Sequence, residues 1–157
     1  MQLQIQPNNR SCLPTAASML IAKYIKGHNV TDLFKGVGHD GGAIIHDDMH
    51  TSGRYRGFTT NELVSYCLSL NLAFLIFDCK PVHMTPSHTG LRTTRMSFDL
   101  TKLMLTNDLV LWGAIHGCHH AVAWNHVVQQ VYDPHGSIYD FTSDCDIEFC
   151  AVLRPLK

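Results

Sequence analysis

The 157-residue chain reads as one α+β domain, residues 1–157, with a helical first half and an antiparallel β-sheet in the second. Three observations predict this. Apolar residues recur at helical spacing from Leu13 to Tyr24. A capping box opens a further helix at Thr59. Everything after Asn107 breaks into short apolar runs separated by turn residues. A chain of this length buries a core without staples.

The first helix carries Leu13, Ala16, Ala17, Leu20, Ile21 and Tyr24 as one apolar stripe. Pro14 suits its first turn, Lys23 and Lys26 its last turn, and Gly27 its stop. The polar, glycine-rich stretch 28–57 fits no period, and a short helix is expected only around Thr31–Phe34. In "TTNELVSYCLSLN", Thr59 and Glu62 stand at capping-box spacing, Leu63, Val64, Cys67 and Leu68 form the buried side, and Asn71 ends the helix. "LAFLIFD" then reads as a strand buried on both faces. Residues 80–95 read as a long loop, and a third helix is expected over Ser97–Thr106. Five strands follow: "LVLWGAI", "HAVAW", "VVQQVYD", "SIYDF" and "FCAVLRP". Asn125-His126 and Asp133-Pro134-His135-Gly136 supply turns between them.

Composition excludes several classes. A net charge of -1 leaves no electrostatic footprint for nucleic acid. No apolar run approaches the roughly 20 residues of a membrane span, so no membrane partner is expected. The start, "MQLQIQPNNRS", lacks the basic and apolar blocks of a signal peptide, which predicts a cytoplasmic chain with reduced cysteines.

One of those cysteines stands apart. Cys12 opens the first helix, where unpaired backbone N–H groups and the helix dipole favour a thiolate. Gln6 offers an amide donor that, with the Cys12 backbone N–H, makes an oxyanion hole. A base is expected from the sheet, where His120 opens "HAVAW". Asp133, ending the next strand, is placed to orient the imidazole. The neighbouring His119 competes for the role of base. Strand alternation puts His119 with Ala121 and Ala123, a face small enough to press against a helix, and His120 with Val122 and Trp124.

This ordered set resembles the papain-like cysteine peptidases. Within them it is most similar to the bacteriocin-processing (double-glycine leader) peptidases and their free-standing relatives. Gln6, Cys12, Ala16, His120, Val122, Asp133 and Pro134 match that pattern, and "GFTTNELVSYCLSLNL" resembles the family's second helix. The resemblance runs nearly end to end. It implies a papain-like fold, with the cysteine-bearing N-terminal helix packed on a C-terminal antiparallel sheet. It also implies a cysteine peptidase-like hydrolase that cleaves a peptide or isopeptide bond of a protein or peptide substrate. The implied catalytic residues are Cys12, His120, Asp133 and Gln6, with no cofactor and no metal; the family's histidine directly precedes the hydrophobic run, which favours His120 over His119. Two features depart from the pattern: Leu13 and Pro14 stand where the family commonly has glycine, and no transporter region is attached. The alternative readings are an acyltransferase (transglutaminase) or deamidase using the same triad, and a non-catalytic binding protein that blocks a cellular partner.

Three other groupings invite chemistry and are set aside. His46 and His50 in "HDDMH" would share a helix face, but Gly41, Gly42 and Gly53 bracket them and make a solvated loop the better reading. Cys118, His119 and His120 are adjacent on a strand and alternate faces, so they cannot all grip one ion. Lys80, Arg92 and Arg95 give one loop a basic tint, for which solvated surface is the default.

Overall fold

The computed structural model describes residues 1–38, 58–79, 100–142 and 145–157. The "HDDMH" segment, the 80–95 loop with Lys80, Arg92 and Arg95, and the expected helix start at Ser97 lie outside them.

The first helix, α1, runs Cys12–Ile21. It is shorter and more deeply buried than its apolar stripe suggested. Every residue from Pro14 to Ile21 is buried, Thr15 and Ser18 included. Beyond Ile21 the chain tightens into i→i+3 turns and leaves the helix through Gly27, whose φ of 82° is a left-handed conformation. Tyr24 therefore falls outside the helix and is exposed, its hydroxyl donating to the Leu153 carbonyl at 3.1 Å. Lys23 is likewise drawn out of the last turn to pair with Asp108.

Helices α2 (Val30–Val37) and α3 (Thr60–Ser69) both open with capping boxes. That of α3 is the expected Thr59–Glu62 pair. That of α2 joins Asn29 to Asp32 and extends the helix at both ends of the expected Thr31–Phe34. In α3, Leu63, Tyr66 and Cys67 are buried, whereas Leu68 is exposed. Tyr66 replaces it on the inner side because its hydroxyl meets His28 Nε2 at 2.9 Å, and His28 Nδ1 meets Ser18 Oγ at 2.9 Å. Burial lowers the His28 pKa, and this neutral imidazole ties α1 to α3. Asn71 ends the helix region with φ 60°.

Six antiparallel strands form one sheet in the order β1-β6-β2-β3-β4-β5. They are β1 (Leu72–Asp78), β2 (Leu109–Ile115), β3 (Cys118–Asn125), β4 (Gln130–Asp133), β5 (Ser137–Asp140) and β6 (Asp146–Pro155). The strand "LAFLIFD" is not buried on both faces. It is β1, which among the described residues pairs only with β6 and so forms an edge, and Leu75 and Ile76 are exposed. An apolar run reports β-propensity, whereas position in the sheet follows from strand order. The fourth strand is shorter than "VVQQVYD", because Val127 and Val128 sit exposed in the turn after Asn125. β2 and β3 join through His116-Gly117, both at positive φ, the pairing a tight two-residue hairpin turn demands.

The sheet divides the core. On one face, Val110, Trp112, Ala121, Ala123, Ala151 and Leu153 pack with α1, α2 and α3. On the other, Leu109, Leu111, Val122, Trp124 and Val131 pack with Met104 of α4 (Leu100–Thr106), whose carbonyl accepts from Trp124 Nε1 at 2.7 Å. The small Ala121 and Ala123 let α1 approach β3 closely, as their size predicts. Gly113 stands directly across from His120 on β2, at a register shift against β6. A Cβ there would lie 2.2 Å from the Asp146 carbonyl oxygen, so only glycine lets β6 close on this part of the sheet.

Candidate active site

Local sequence explains why the start of α1 is open to a ligand. Ser11 occupies the N-cap but makes no cap hydrogen bond. Its hydroxyl instead donates to the Asn8 carbonyl at 2.8 Å and accepts from the Asn8 N–H at 3.3 Å. The first-turn N–H groups are left for another acceptor, and Pro14 has none to satisfy. Cys12 is the first helical residue and half-buried.

The sheet brings the partners. β3 and β4 pair through Ala123↔Tyr132, Trp124↔Val131 and Asn125↔Gln130, and there the ladder stops. Beyond it no strand among the described residues pairs with this edge of β3, and α1 packs against β3. The Cys12 thiol faces His120 and the backbone N–H groups of Ala121 and Leu13, which act together to lower its pKa. His120 lies on the pleat side opposite Ala121, whereas α1 packs on the alanine side. His120 is buried, whereas the side chain of His119 is 72% exposed and lies 3.5 Å from Glu148.

Asp133 completes the chain. His120 Nε2 donates to Asp133 Oδ1 at 2.8 Å, which leaves Nδ1 toward the thiol. The same oxygen accepts the His135 backbone N–H at 2.8 Å, and Oδ2 accepts the Tyr139 hydroxyl at 2.9 Å. Asp133 and His120 are thus hydrogen-bonded, and His120 in turn lowers the pKa of the Cys12 thiol. Gln6 is anchored beside it: its backbone N–H donates to the Pro134 carbonyl at 2.8 Å. Its side-chain Oε1 is buried without a donor among the described residues, an arrangement that ordinarily costs about 1–3 kcal/mol. No hydrogen bond joins the Gln6 amide to Cys12, His120 or Asp133 among the described residues.

Electrostatics follow the geometry. Burial pushes the Cys12 thiol up, but the His120 hydrogen bond and charge, with the two backbone N–H groups, outweigh it and lower the pKa. Burial pushes His120 down, but the bonds to Asp133 and Cys12 raise its pKa to about 9. Burial pushes Asp133 up, but His120, the His135 N–H and Tyr139 hold it at about 2. A carboxylate accepts only, so His120 Nε2 carries the proton. The set favours a thiolate beside an imidazolium. Elsewhere, burial alone pushes Cys67 up to about 12.

Tyr139 and His135 were not legible as partners of Asp133. The register held the signal: the three-residue turn Pro134-His135-Gly136 pairs Asp133 with Ser137 and leaves Tyr139 two residues further along the same face. His120, Asp133 and His135 also place three metal-capable atoms within 4.8 Å of one another. Yet the two imidazoles stack with centroids 4.5 Å apart and planes only 16° from parallel. Ring nitrogens bind metal in the ring plane, and two parallel stacked planes share no such point. As arranged, this is a stack against a carboxylate.

The architecture is similar to the peptidase domain of Streptococcus ComA, described as a bi-functional ABC transporter involved in a quorum sensing pathway. The TM-score is 0.57 at 11% identity, over 98% of this chain and 98% of that one. The chain shares the fold of that peptidase domain. No protein-family model matches the chain, and no curated protein matches it. The six cysteines are free thiols. No helix among the described residues is long and apolar enough to cross a membrane.

Proposed function

We propose that the protein is a cysteine-dependent hydrolase of peptide or isopeptide bonds. What supports this is the His120–Asp133 hydrogen bond beside Cys12, whose thiol stands at the uncapped start of α1 with its pKa lowered by His120. The Cys12 thiolate attacks the substrate carbonyl carbon and its electron pair forms the S–C bond, while the carbonyl π pair moves to oxygen. First-turn N–H groups and Gln6 stabilise that oxyanion. The C–N bond breaks as the His120 imidazolium gives its proton to the leaving amine. Water then attacks the thioester, losing a proton to His120, and the thiolate leaves with the acid product. Asp133 holds the ring and its tautomer throughout.

The shared fold and the match of Gln6, Cys12, His120 and Asp133-Pro134 to the bacteriocin-processing pattern support a peptide substrate. The free thiols support a reducing, cytosolic setting. The test is a library of peptides ending in an electrophilic carbonyl, read by mass spectrometry. An adduct confined to Cys12, with a clear side-chain preference, is expected. Labelling spread over the other thiols would sink the assignment.

Gln6→Ala is expected to lower turnover roughly 10²-fold, the scale of one lost oxyanion donor, with KM little changed. Steady-state kinetics decide it. An unaltered kcat would leave Gln6 as no more than a backbone anchor on the Pro134 turn.

A further inference from the structure

We infer that His135 is a positioning residue whose ring holds the His120 imidazole in line between Asp133 and Cys12. The inference rests on the proposed thiolate–imidazolium reading of that pair. Four observations converge on it. The two rings stack at 4.5 Å and 16°. His135 Nδ1 lies 3.4 Å from Asp133 Oδ1, the oxygen that already accepts the His135 backbone N–H at 2.8 Å. The His135 side chain is 60% exposed while that of His120 is 8% exposed, so the outer ring screens the inner one. Finally, the turn that presents His135 is held from both ends. The Gly136 N–H donates to the Asp133 carbonyl at 2.9 Å, Gly136 takes φ 102°, and Pro134 is tied to Gln6.

The need for such a clamp is physical. A histidine ring turns in a broad, shallow well about its outer side-chain torsion. The bond to Asp133 fixes one nitrogen but leaves the ring free to tilt about that bond. A parallel ring opposes the tilt and keeps water off the imidazole face, which strengthens both of its hydrogen bonds. An exposed histidine contributes little to a core, so the stack's effect falls on the ring it covers.

The experiment compares the parent with His135→Ala and His135→Phe by the pH–rate profile of iodoacetamide alkylation, mapped to Cys12 by mass spectrometry. His135→Ala keeps the backbone N–H and removes the ring. Its Cys12 profile is expected to move toward higher pH, with a rate near neutrality lower by about two- to tenfold, the scale of one aromatic pair. His135→Phe keeps a stacking ring without the nitrogen and is expected to restore the parent profile. Unfolding midpoints should be alike in all three. A His135→Ala profile equal to the parent's overturns the inference, and so does a His135→Phe profile as shifted as that of His135→Ala. A parent whose Cys12 reacts no faster than the exposed Cys118 overturns the thiolate reading itself, which separates the two failures.

Discussion

Cys12→Ala is expected to fold as the parent does and to lose at least about 10⁴-fold in turnover, the scale seen when the nucleophile of such a site is removed. The thiol is half-buried at a helix end and packs only against the margin of the core, and the alanine methyl keeps most of that contact, so the packing of α1 survives its loss. Four of the other five thiols are poorly placed to replace it. Burial raises the pKa of Cys67, and the bond to Cys79 raises that of Cys150. Cys79 is lowered by its hydrogen bond to Cys150, with no histidine among the described residues contributing to the shift. Cys118 is exposed at the β2–β3 hairpin, away from any helix start. Circular dichroism and thermal unfolding check the fold, and steady-state hydrolysis checks the chemistry. Residual activity above about a hundredth of the parent would move the nucleophile elsewhere, with Cys118 tested next.

The second large effect separates the adjacent histidines. His120→Ala is expected to abolish the fast alkylation of Cys12 near neutral pH, because burial then dominates and pushes the thiol up. His119→Ala should leave the profile unchanged, since that side chain faces solvent and Glu148. Fast alkylation lost in His119→Ala alone would shift the base by one residue. Stability should show the same pair. Asp133 titrates at about 2 when folded and near ~3.9 when unfolded, so its contribution is present above that unfolded value and is lost as the pH falls toward 2. His120 titrates at about 9 when folded and near ~6.5 when unfolded, so its contribution is full below the latter and is lost as the pH rises through 9. The parent should therefore be most stabilised by this pair between about pH 4 and 6.5, and unfolding midpoints measured across pH should lose that plateau in His120→Ala.

Much of the local structure is written in short-range pattern. The Thr59–Glu62 box, the stop at Asn71 and the β-rich second half are readable because each depends on residues within a turn of one another. The Asn29–Asp32 box was equally local, but the glycine-rich stretch that follows it masked the helix it opens. The α+β class follows from those elements. Cys12 at a helix start, a histidine on a strand and an aspartate before a turn are likewise visible in one dimension.

Tertiary structure decided what depends on distant neighbours. It made β1 an edge although its residues read as central, because burial follows from strand order and not from composition. It enclosed α1 on every side although only one apolar stripe was written into it, because α2 and α3 cover its outer face. The choice between His119 and His120 shows the reason most clearly. Alternation correctly put the alanines against α1, yet the parity of a strand says nothing about its edge. Among the described residues the β3–β4 ladder ends at Ala123↔Tyr132, a choice made by pairing between strands, and beyond it His120 bonds Asp133 and lowers the pKa of Cys12.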